Sequence, residues 1–172
     1  MKNIMIIISL VLVSFSLLFA ENEIPEGFIQ PGDTELRYTG RICALPIALG
    51  SMGLDFEKAY LNKNQKYRVI SASMNLGYGL LVDEYIDEEL YVSTFSFKHK
   101  FYRPGKDTNS MGFFYYTLGV GYAFGNSENV VPGIVIPDIG IGFGKETVKS
   151  NGKRRAVSFE LGVPYTGVTF TF

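Results

Sequence analysis

The only histidine of the 172-residue chain, His99, is the first candidate for acid–base chemistry, because histidine readily exchanges protons near neutral pH. A serine hydrolase needs such a base within hydrogen-bond reach of its nucleophile. The next serine along the chain, Ser110, follows Asn109 and comes eleven residues after His99. We therefore expect His99 to be an interfacial residue at a strand end and not a catalytic base.

Carboxylates form two further candidate groups. Asp55 and Glu57 have the spacing that puts both side chains on one face of a strand, but without a cleft this spacing implies no acid–base role. The acidic segment 83–89 lacks the alternating Asp/Asn and Gly spacing of a calcium loop. One cysteine, Cys43, and one histidine do not supply a zinc ligand set. The sequence therefore predicts no catalytic residue, no metal site and no cofactor.

The composition argues against several classes of protein. With 47% hydrophobic and 15% aromatic residues, the chain is too hydrophobic for a disordered protein. Its formal net charge of −1 lacks the basic surplus of proteins that bind nucleic acid. A lone cysteine cannot form an intrachain disulfide, so a disulfide scaffold is excluded. The length suits a single domain.

The first twenty residues are typical of a secretory signal peptide. Lys2 provides a positive start, residues 4–19 are nearly all apolar, and the small Ala20 precedes the acidic Glu21. An uncut membrane anchor, the alternative, needs about 20 apolar residues, and this run is shorter. We therefore expect export and cleavage after Ala20. Because no second long apolar run follows, the mature chain could enter a membrane only as a closed barrel.

Alternation with a period of two residues dominates the rest of the sequence and predicts β-strands. In 111–125, large apolar residues occupy the even positions from Phe114 to Phe124, whereas the odd positions from Tyr115 to Ala123 are mostly small or polar. The predicted strands, separated by segments rich in Gly, Asn, Asp, Pro or charge, are 36–49, 52–61, 67–82, 88–102, 111–125, 133–148, 153–164 and 167–172. The first contains Pro46, and a change of phase near 164–167 indicates a turn before the last.

The positions of the glycines indicate which face of these strands points inward. The polar face carries eight glycines: Gly77, Gly79, Gly119, Gly121, Gly140, Gly142, Gly144 and Gly162. Glycine weakens a solvated strand, whereas the crowded interior of a narrow barrel accommodates it. Three of these glycines, at 140–144, lie inside a strand pattern and therefore do not form a dinucleotide-binding loop. We expect the large apolar face to point outward to lipid, with Phe and Tyr as interfacial girdles.

Charged residues on the polar face should then line the lumen. Both signs occur there, which favours a paired internal network, because an unpaired buried charge is costly. The predicted lumen network consists of Asp55, Glu57, Lys98, Lys100, Glu146 and Glu160. Arg68 and Arg155 fall on the lipid-facing positions and would have to extend to an interface.

The end of the chain, Gly167-Val-Thr-Phe-Thr-Phe172, alternates apolar residues and finishes on an aromatic. It resembles the C-terminal signal of bacterial outer-membrane barrels. Together with Gly53-Leu-Asp-Phe-Glu57 and Asn75-Leu-Gly-Tyr-Gly79, it makes residues 36–172 similar to small eight-stranded outer-membrane barrel proteins, including families of unknown function. The resemblance implies that Val168, Phe170 and Phe172 form a signal read by the barrel assembly machinery. Some such barrels are lipid A deacylases, whose nucleophilic serine follows the histidine by two residues, but Phe101 occupies that position here.

The sequence therefore predicts an all-β protein, an antiparallel up-and-down transmembrane barrel of eight strands over 36–172, after an irregular segment 21–35. We expect it in the outer membrane, in contact with outer-membrane lipid, with a side-chain-filled lumen and a structural or surface-interaction role. It is not expected to be an enzyme or to bind nucleic acid, and no ligand is identified. A soluble, lipocalin-like periplasmic barrel that binds an apolar ligand is the first alternative, and it requires the aromatic face to point inward. A lipid A-modifying enzyme that uses His99 is the second.

Overall fold

A computed structural model of the chain describes residues 24–45, 48–83, 86–104, 109–125, 133–163 and 166–172. The predicted signal peptide 1–20, its cleavage point and residues 84–85 of the acidic segment 83–89 lie outside the described residues. Within the described part of the chain, no helix is long and apolar enough to span a membrane.

The described chain forms eight strands that pair in chain order, and the last strand pairs with the first. The predicted fold class, an all-β antiparallel up-and-down barrel of eight strands, is therefore confirmed. The strands are β1 (Thr34–Leu45), β2 (Ala48–Leu61), β3 (Tyr67–Asp83), β4 (Ile86–Pro104), β5 (Ser110–Gly125), β6 (Ile134–Val148), β7 (Arg154–Val163) and β8 (Thr166–Thr171).

The bounds of the first two strands differ from the prediction. A single first strand over 36–49 is wrong, because β1 ends at Leu45 and Leu49 belongs to β2, where it pairs with Cys43. A proline cannot donate to a strand ladder, and Pro46 falls between the two strands, outside the described residues. The predicted separation of the last two strands is confirmed, since β7 and β8 are distinct and antiparallel.

The pairing register determines how steeply the strands tilt. Following hydrogen-bond partners once around the barrel from Tyr60 leads back to β2 at Gly50, ten residues earlier. With a rise of about 3.4 Å per residue and about 4.8 Å between strands, this offset over eight strands corresponds to a tilt of roughly 40°. Such a tilt lies in the usual range for closed barrels.

The barrel has two ends that differ in what covers them. One end, called the terminal end, holds the N-terminal segment 24–33, the β2–β3, β4–β5 and β6–β7 connections, and Phe172. The other, called the distal end, holds the remaining four connections. Segment 24–33 has turns and no regular strand, yet Phe28 is only 3% exposed and Tyr67 donates a hydrogen bond of 2.8 Å to the carbonyl of Ile29. The segment thus plugs the terminal end of the lumen.

Candidate functional site

The lumen is the most elaborate polar site of the described chain. Positions of one parity on every strand point into it, so charged residues that alternate with outward apolar residues are brought together. Five cationic and five anionic side chains meet there, each at most 5% exposed. They are Arg37, Arg41, Lys98, Lys100 and Arg154, with Asp55, Glu57, Asp138, Glu146 and Glu160. Because the numbers are equal, this interior set carries no formal net charge.

The largest ion-pair group lies towards the terminal end and is built on Glu57 and Glu146. Arg37 lies 2.5 Å from Glu146 and 3.5 Å from Glu57. Arg154 also bridges the two carboxylates, at 3.1 Å from Glu146 and 3.2 Å from Glu57. Lys100 donates to Glu57. Five strands are joined by these contacts, so the group braces the barrel across its interior.

Two smaller groups fill the middle of the lumen. Lys98 forms an ion pair with Asp55 at 3.2 Å. Arg41 lies 3.4 Å from Glu160, which also accepts hydrogen bonds of 3.0 Å from the Tyr115 hydroxyl and 2.9 Å from the Thr117 hydroxyl. Every one of the six residues predicted from the sequence to line the lumen therefore lies inside, and each takes part in at least one of these contacts.

Four buried charged residues were not in the predicted network: Arg37, Arg41, Arg154 and Asp138. The signal was present for the first two, because they alternate with the outward Leu36, Tyr38 and Ile42 along β1. Arg154 sits one position before Arg155, so the parity of β7 assigns it to the interior. Asp138 has the parity of the β6 glycines. Applying each strand's parity along its whole length would have found all four.

Glycines of β6 lie beneath aromatic rings of β5 inside the lumen. A methyl group added at Gly142 would overlap the ring of Tyr115, and one added at Gly144 would meet the ring of Phe113 and the side chain of Ser158. Tyr115 is 2% exposed. The glycines therefore make room for large interior side chains, and a lumen packed in this way leaves no open channel at that level.

His99 lies on the outer face and not in the lumen. Its Nε2 is 2.7 Å from the Tyr60 hydroxyl, and its Nδ1 is 2.8 Å from the Tyr116 hydroxyl. Both ring nitrogens therefore have tyrosine partners. Ser110 is 1% exposed and lies on β5 six residues before Tyr116, which is the partner of His99, so it is about 20 Å along the strand from the level of the imidazole. This geometry brings no serine nucleophile to the imidazole.

Metal ligands do not gather in the described part of the chain: no group of three or more His, Cys, Asp or Glu side chains there could hold an ion. The interior carboxylates already face lysine or arginine. Cys43 is buried as a free thiol beside Leu49 and Val92. The lumen contacts are those of a structural interior.

The outer face is a belt of large apolar side chains. On β5 its row runs from Phe124 near the distal end to Phe114 near the terminal end. Ten residues at about 3.4 Å each, tilted by about 40°, span roughly 25 Å along the axis. The exposed large hydrophobic side chains include Met52 and Leu76, exposed by 79% and 73%, and they occur on β1 to β7 and at Phe172, directly after β8.

Aromatic and cationic residues border this belt. Near the distal end the rings of Tyr78, Tyr91 and Phe124 pack in sequence, with centroids 5.3 Å apart at each step; the first pair is tilted and the second is stacked. Near the terminal end, the Arg68 guanidinium lies 4.8 Å from the centre of the Phe101 ring, and that of Arg155 lies 5.9 Å from the centre of the Phe172 ring. Both arginines occupy outward positions, at the end of the strand rows.

The C-terminal strand closes the barrel. Val168 and Phe170 occupy outward positions of β8, and Phe172 is 55% exposed. The backbones of Phe172 and Tyr38 exchange two hydrogen bonds, so the last residue is tied to β1. Recognition of Val168, Phe170 and Phe172 by an assembly machinery stays a prediction from the sequence.

Comparisons with protein-family models, with curated proteins and with solved structures found no match to this chain.

Proposed function

We propose that this chain is an integral outer-membrane barrel, in which a braced, side-chain-filled lumen supports an outer surface that faces lipid. The observation that carries the proposal is the inverted distribution of side chains. Charges are inside, and an apolar belt of roughly 25 Å, the height of the lipid-facing band of membrane barrels, is outside. Aromatic residues border the belt at both ends, as the girdles of membrane barrels do.

Water is a poor environment for such a surface. Soluble monomers rarely expose contiguous apolar patches of more than about 300–600 Å². In this barrel the exposed Leu, Ile, Val, Met, Phe and Tyr side chains occur on β1 to β7 and at Phe172 after β8, so the apolar surface surrounds the molecule. Lipid would cover that surface without any change of fold. A closed barrel also pairs every strand, which is what the hydrocarbon region requires of a backbone.

The packed interior argues against a diffusion channel. Arg37 reaches from β1 to Glu146 on β6, and segment 24–33 covers the terminal end of the lumen. The role that remains is structural, or an interaction at the membrane surface. No described group of residues favours catalysis.

The soluble lipocalin-like alternative is less well supported, because it needs the large aromatic and aliphatic face to line a ligand cavity. That face points outward, with Phe97 and Phe143 59% and 60% exposed, and the interior holds ten charged side chains instead.

Fractionation of cells that express the full chain tests the proposal. We expect the protein in the outer-membrane pellet after carbonate washing. We also expect faster migration on SDS gels before boiling than after, because a closed barrel resists SDS until heated. A known periplasmic protein and a known outer-membrane barrel provide the two controls. Recovery in the soluble periplasmic fraction, with no heat-dependent shift, would overturn the proposal.

A further inference from the structure

We propose that a groove on the outer face, across β2 to β5, is a binding site for an anionic glycerophospholipid. This inference rests on the proposed membrane location. One acyl chain would lie in the groove, and the phosphate would lie at the cationic rim of the terminal end.

The groove exists because a small residue interrupts the belt. Ala72 lies on the outward row of β3 and is paired with Phe56 on one side and Phe97 on the other. The missing bulk above Ala72 leaves a groove of about 390 Å³, with Leu118 at its far wall. Drug-sized ligand sites occupy about 300–1,000 Å³ and are mostly apolar with a few polar groups. The groove fits that description, since its floor and walls are carbon and its polar groups lie at one edge.

That edge is a polar ledge formed by Tyr60, His99 and Tyr116. The row that contains His99 and Tyr116 lies one step closer to the terminal end than the row of Phe97 and Leu118. Hydrogen bonds of 2.7 and 2.8 Å join the three side chains across the strands. The ledge therefore closes the groove towards the rim and leaves it open towards the middle of the belt. An amphiphile with its head at the ledge and its chain in the groove matches this arrangement.

The charge beside the ledge is positive. Lys58 lines the groove in the same row as His99, and its side chain is exposed. Arg68 follows one step further towards the rim, over the ring of Phe101. A phosphate at the ledge would therefore meet the ammonium group of Lys58 and a tyrosine hydroxyl that can still donate, since the nitrogens of His99 are already hydrogen-bonded to Tyr60 and Tyr116.

The terminal end of the barrel carries an excess of positive charge, since the acids described there outside the lumen are only Glu26, Asp33 and Glu35. Among the described residues, the cations outside the lumen all belong to the terminal end: Lys58, Lys63, Lys66, Arg68, Arg103, Lys145, Lys149, Lys153 and Arg155. The four distal connections contain no lysine or arginine, and Glu89 is the exposed charge next to the distal aromatics. Anionic headgroups are attracted to basic residues at a membrane surface by about 1 kcal/mol per residue. The rim beside the groove is therefore the end that an anionic lipid favours.

A second copy of this chain fits the groove less well. Copies inserted in one membrane share one orientation, so the cationic rim of a neighbour would lie at the same height. Lys58 and Arg68 would then face like charges, which disfavours association. A phospholipid presents the opposite charge at that height.

Native mass spectrometry of the full chain, refolded in dodecyl maltoside, tests the site with two lipids that share acyl chains: phosphatidylglycerol and phosphatidylcholine. Glycerol phosphate serves as the headgroup without chains. We expect one bound phosphatidylglycerol per barrel, weaker phosphatidylcholine binding and no glycerol phosphate binding. Ala72→Phe, which fills the groove, should weaken phosphatidylglycerol binding by about tenfold. Lys58→Gln should weaken it by about fivefold and bring the two lipids closer together.

Lys145→Gln is the matched control, because it removes a cation from the same rim on β6, away from the groove; binding should stay within twofold of the wild type. Heat-dependent migration of each variant establishes that the barrel has formed. Equal binding of both lipids by the wild type, unchanged binding by Ala72→Phe in a folded barrel, or a dimer without lipid would each overturn the site. A barrel that folds and inserts but retains no lipid contradicts this inference alone, whereas a protein that stays out of the membrane contradicts the proposed function.

Discussion

The Arg37 guanidinium on β1 lies 2.5 Å from the carboxylate of Glu146 on β6, which is 109 residues away along the chain. Neither side chain is more than 1% exposed. Arg154 and the Tyr102 hydroxyl contact the same carboxylate, the latter as a hydrogen-bond donor at 2.5 Å. One acid thus fixes side chains from three other strands, and the lumen is held together from within.

Removing this acid should destabilise the barrel. Glu146→Gln leaves Arg37 and Arg154 with one fewer counter-charge in a site closed to water, and breaking such a buried pair costs about 3–5 kcal/mol. Urea unfolding of protein refolded into lipid vesicles measures the loss. Glu89→Gln, an exposed acid at the distal end, is the control and should change the free energy of unfolding by less than about 1 kcal/mol. Equal effects of the two substitutions would contradict the account of the lumen.

The packing of Tyr115 over Gly142 predicts that a larger residue at position 142 destabilises the barrel. Gly142→Ala places a methyl group where the ring lies, so the side chains must shift, at a cost of about 1–3 kcal/mol. Gly50→Ala is the matched control, because nothing lies within 4 Å of the added methyl group there. The same unfolding measurement compares them. If the Gly142→Ala protein were as stable as the Gly50→Ala protein, the close packing of Tyr115 over Gly142 would be contradicted.

Depth in the membrane should determine the effect of a charge on the outer face. Val120 lies near the middle of the β5 row, whereas Val157 is paired with Lys145 at the cationic rim. Val120→Arg should cost about 2–4 kcal/mol in lipid vesicles, and Val157→Arg about 0–1 kcal/mol. Both variants should be equally stable when refolded in detergent micelles that adapt to the charge. Equal costs in vesicles would show that the belt is not a lipid-facing surface.

The C-terminal residue should affect assembly more than stability. Phe172→Ser removes the terminal aromatic of the predicted assembly signal but keeps the backbone hydrogen bonds with Tyr38. We expect a several-fold lower level in the outer membrane of living cells, measured by immunoblotting of the membrane fraction. Spontaneous refolding into vesicles should proceed as for the wild type. A wild-type level of the Phe172→Ser protein in the outer membrane would show that Phe172 is not part of the assembly signal.

Local alternation was sufficient to predict the strands and the direction of most side chains. A strand's parity follows directly from the pleat, so the outward Phe95 and Phe97 and the inward Lys98 and Lys100 could be assigned from the sequence alone. The start of β2 could not be placed in the same way, because the apolar run around Pro46 gives no clear period.

Contacts that depend on the register could not be predicted. The ten-residue offset around the barrel places Arg37 opposite Glu146, and nothing in either local sequence encodes that offset. The groove likewise needs four strands in register, since its floor at Ala72 is on β3 and its walls come from β2, β4 and β5. The burial of Phe28 in the lumen mouth was missed because segment 24–33 has no regular period.

The central claim, that the apolar face meets lipid, is tested most directly by probes on neighbouring residues of β5. In a Cys43→Ala background, Leu118→Cys and Thr117→Cys are each labelled with an environment-sensitive fluorophore and refolded into vesicles that contain brominated lipids. Thr117 is 2% exposed and faces the lumen, whereas Leu118 is 60% exposed on the outer face. We expect strong quenching by the brominated chains at position 118 and little quenching or labelling at position 117. Quenching at 117 with none at 118, or aqueous iodide quenching at 118, would contradict the account.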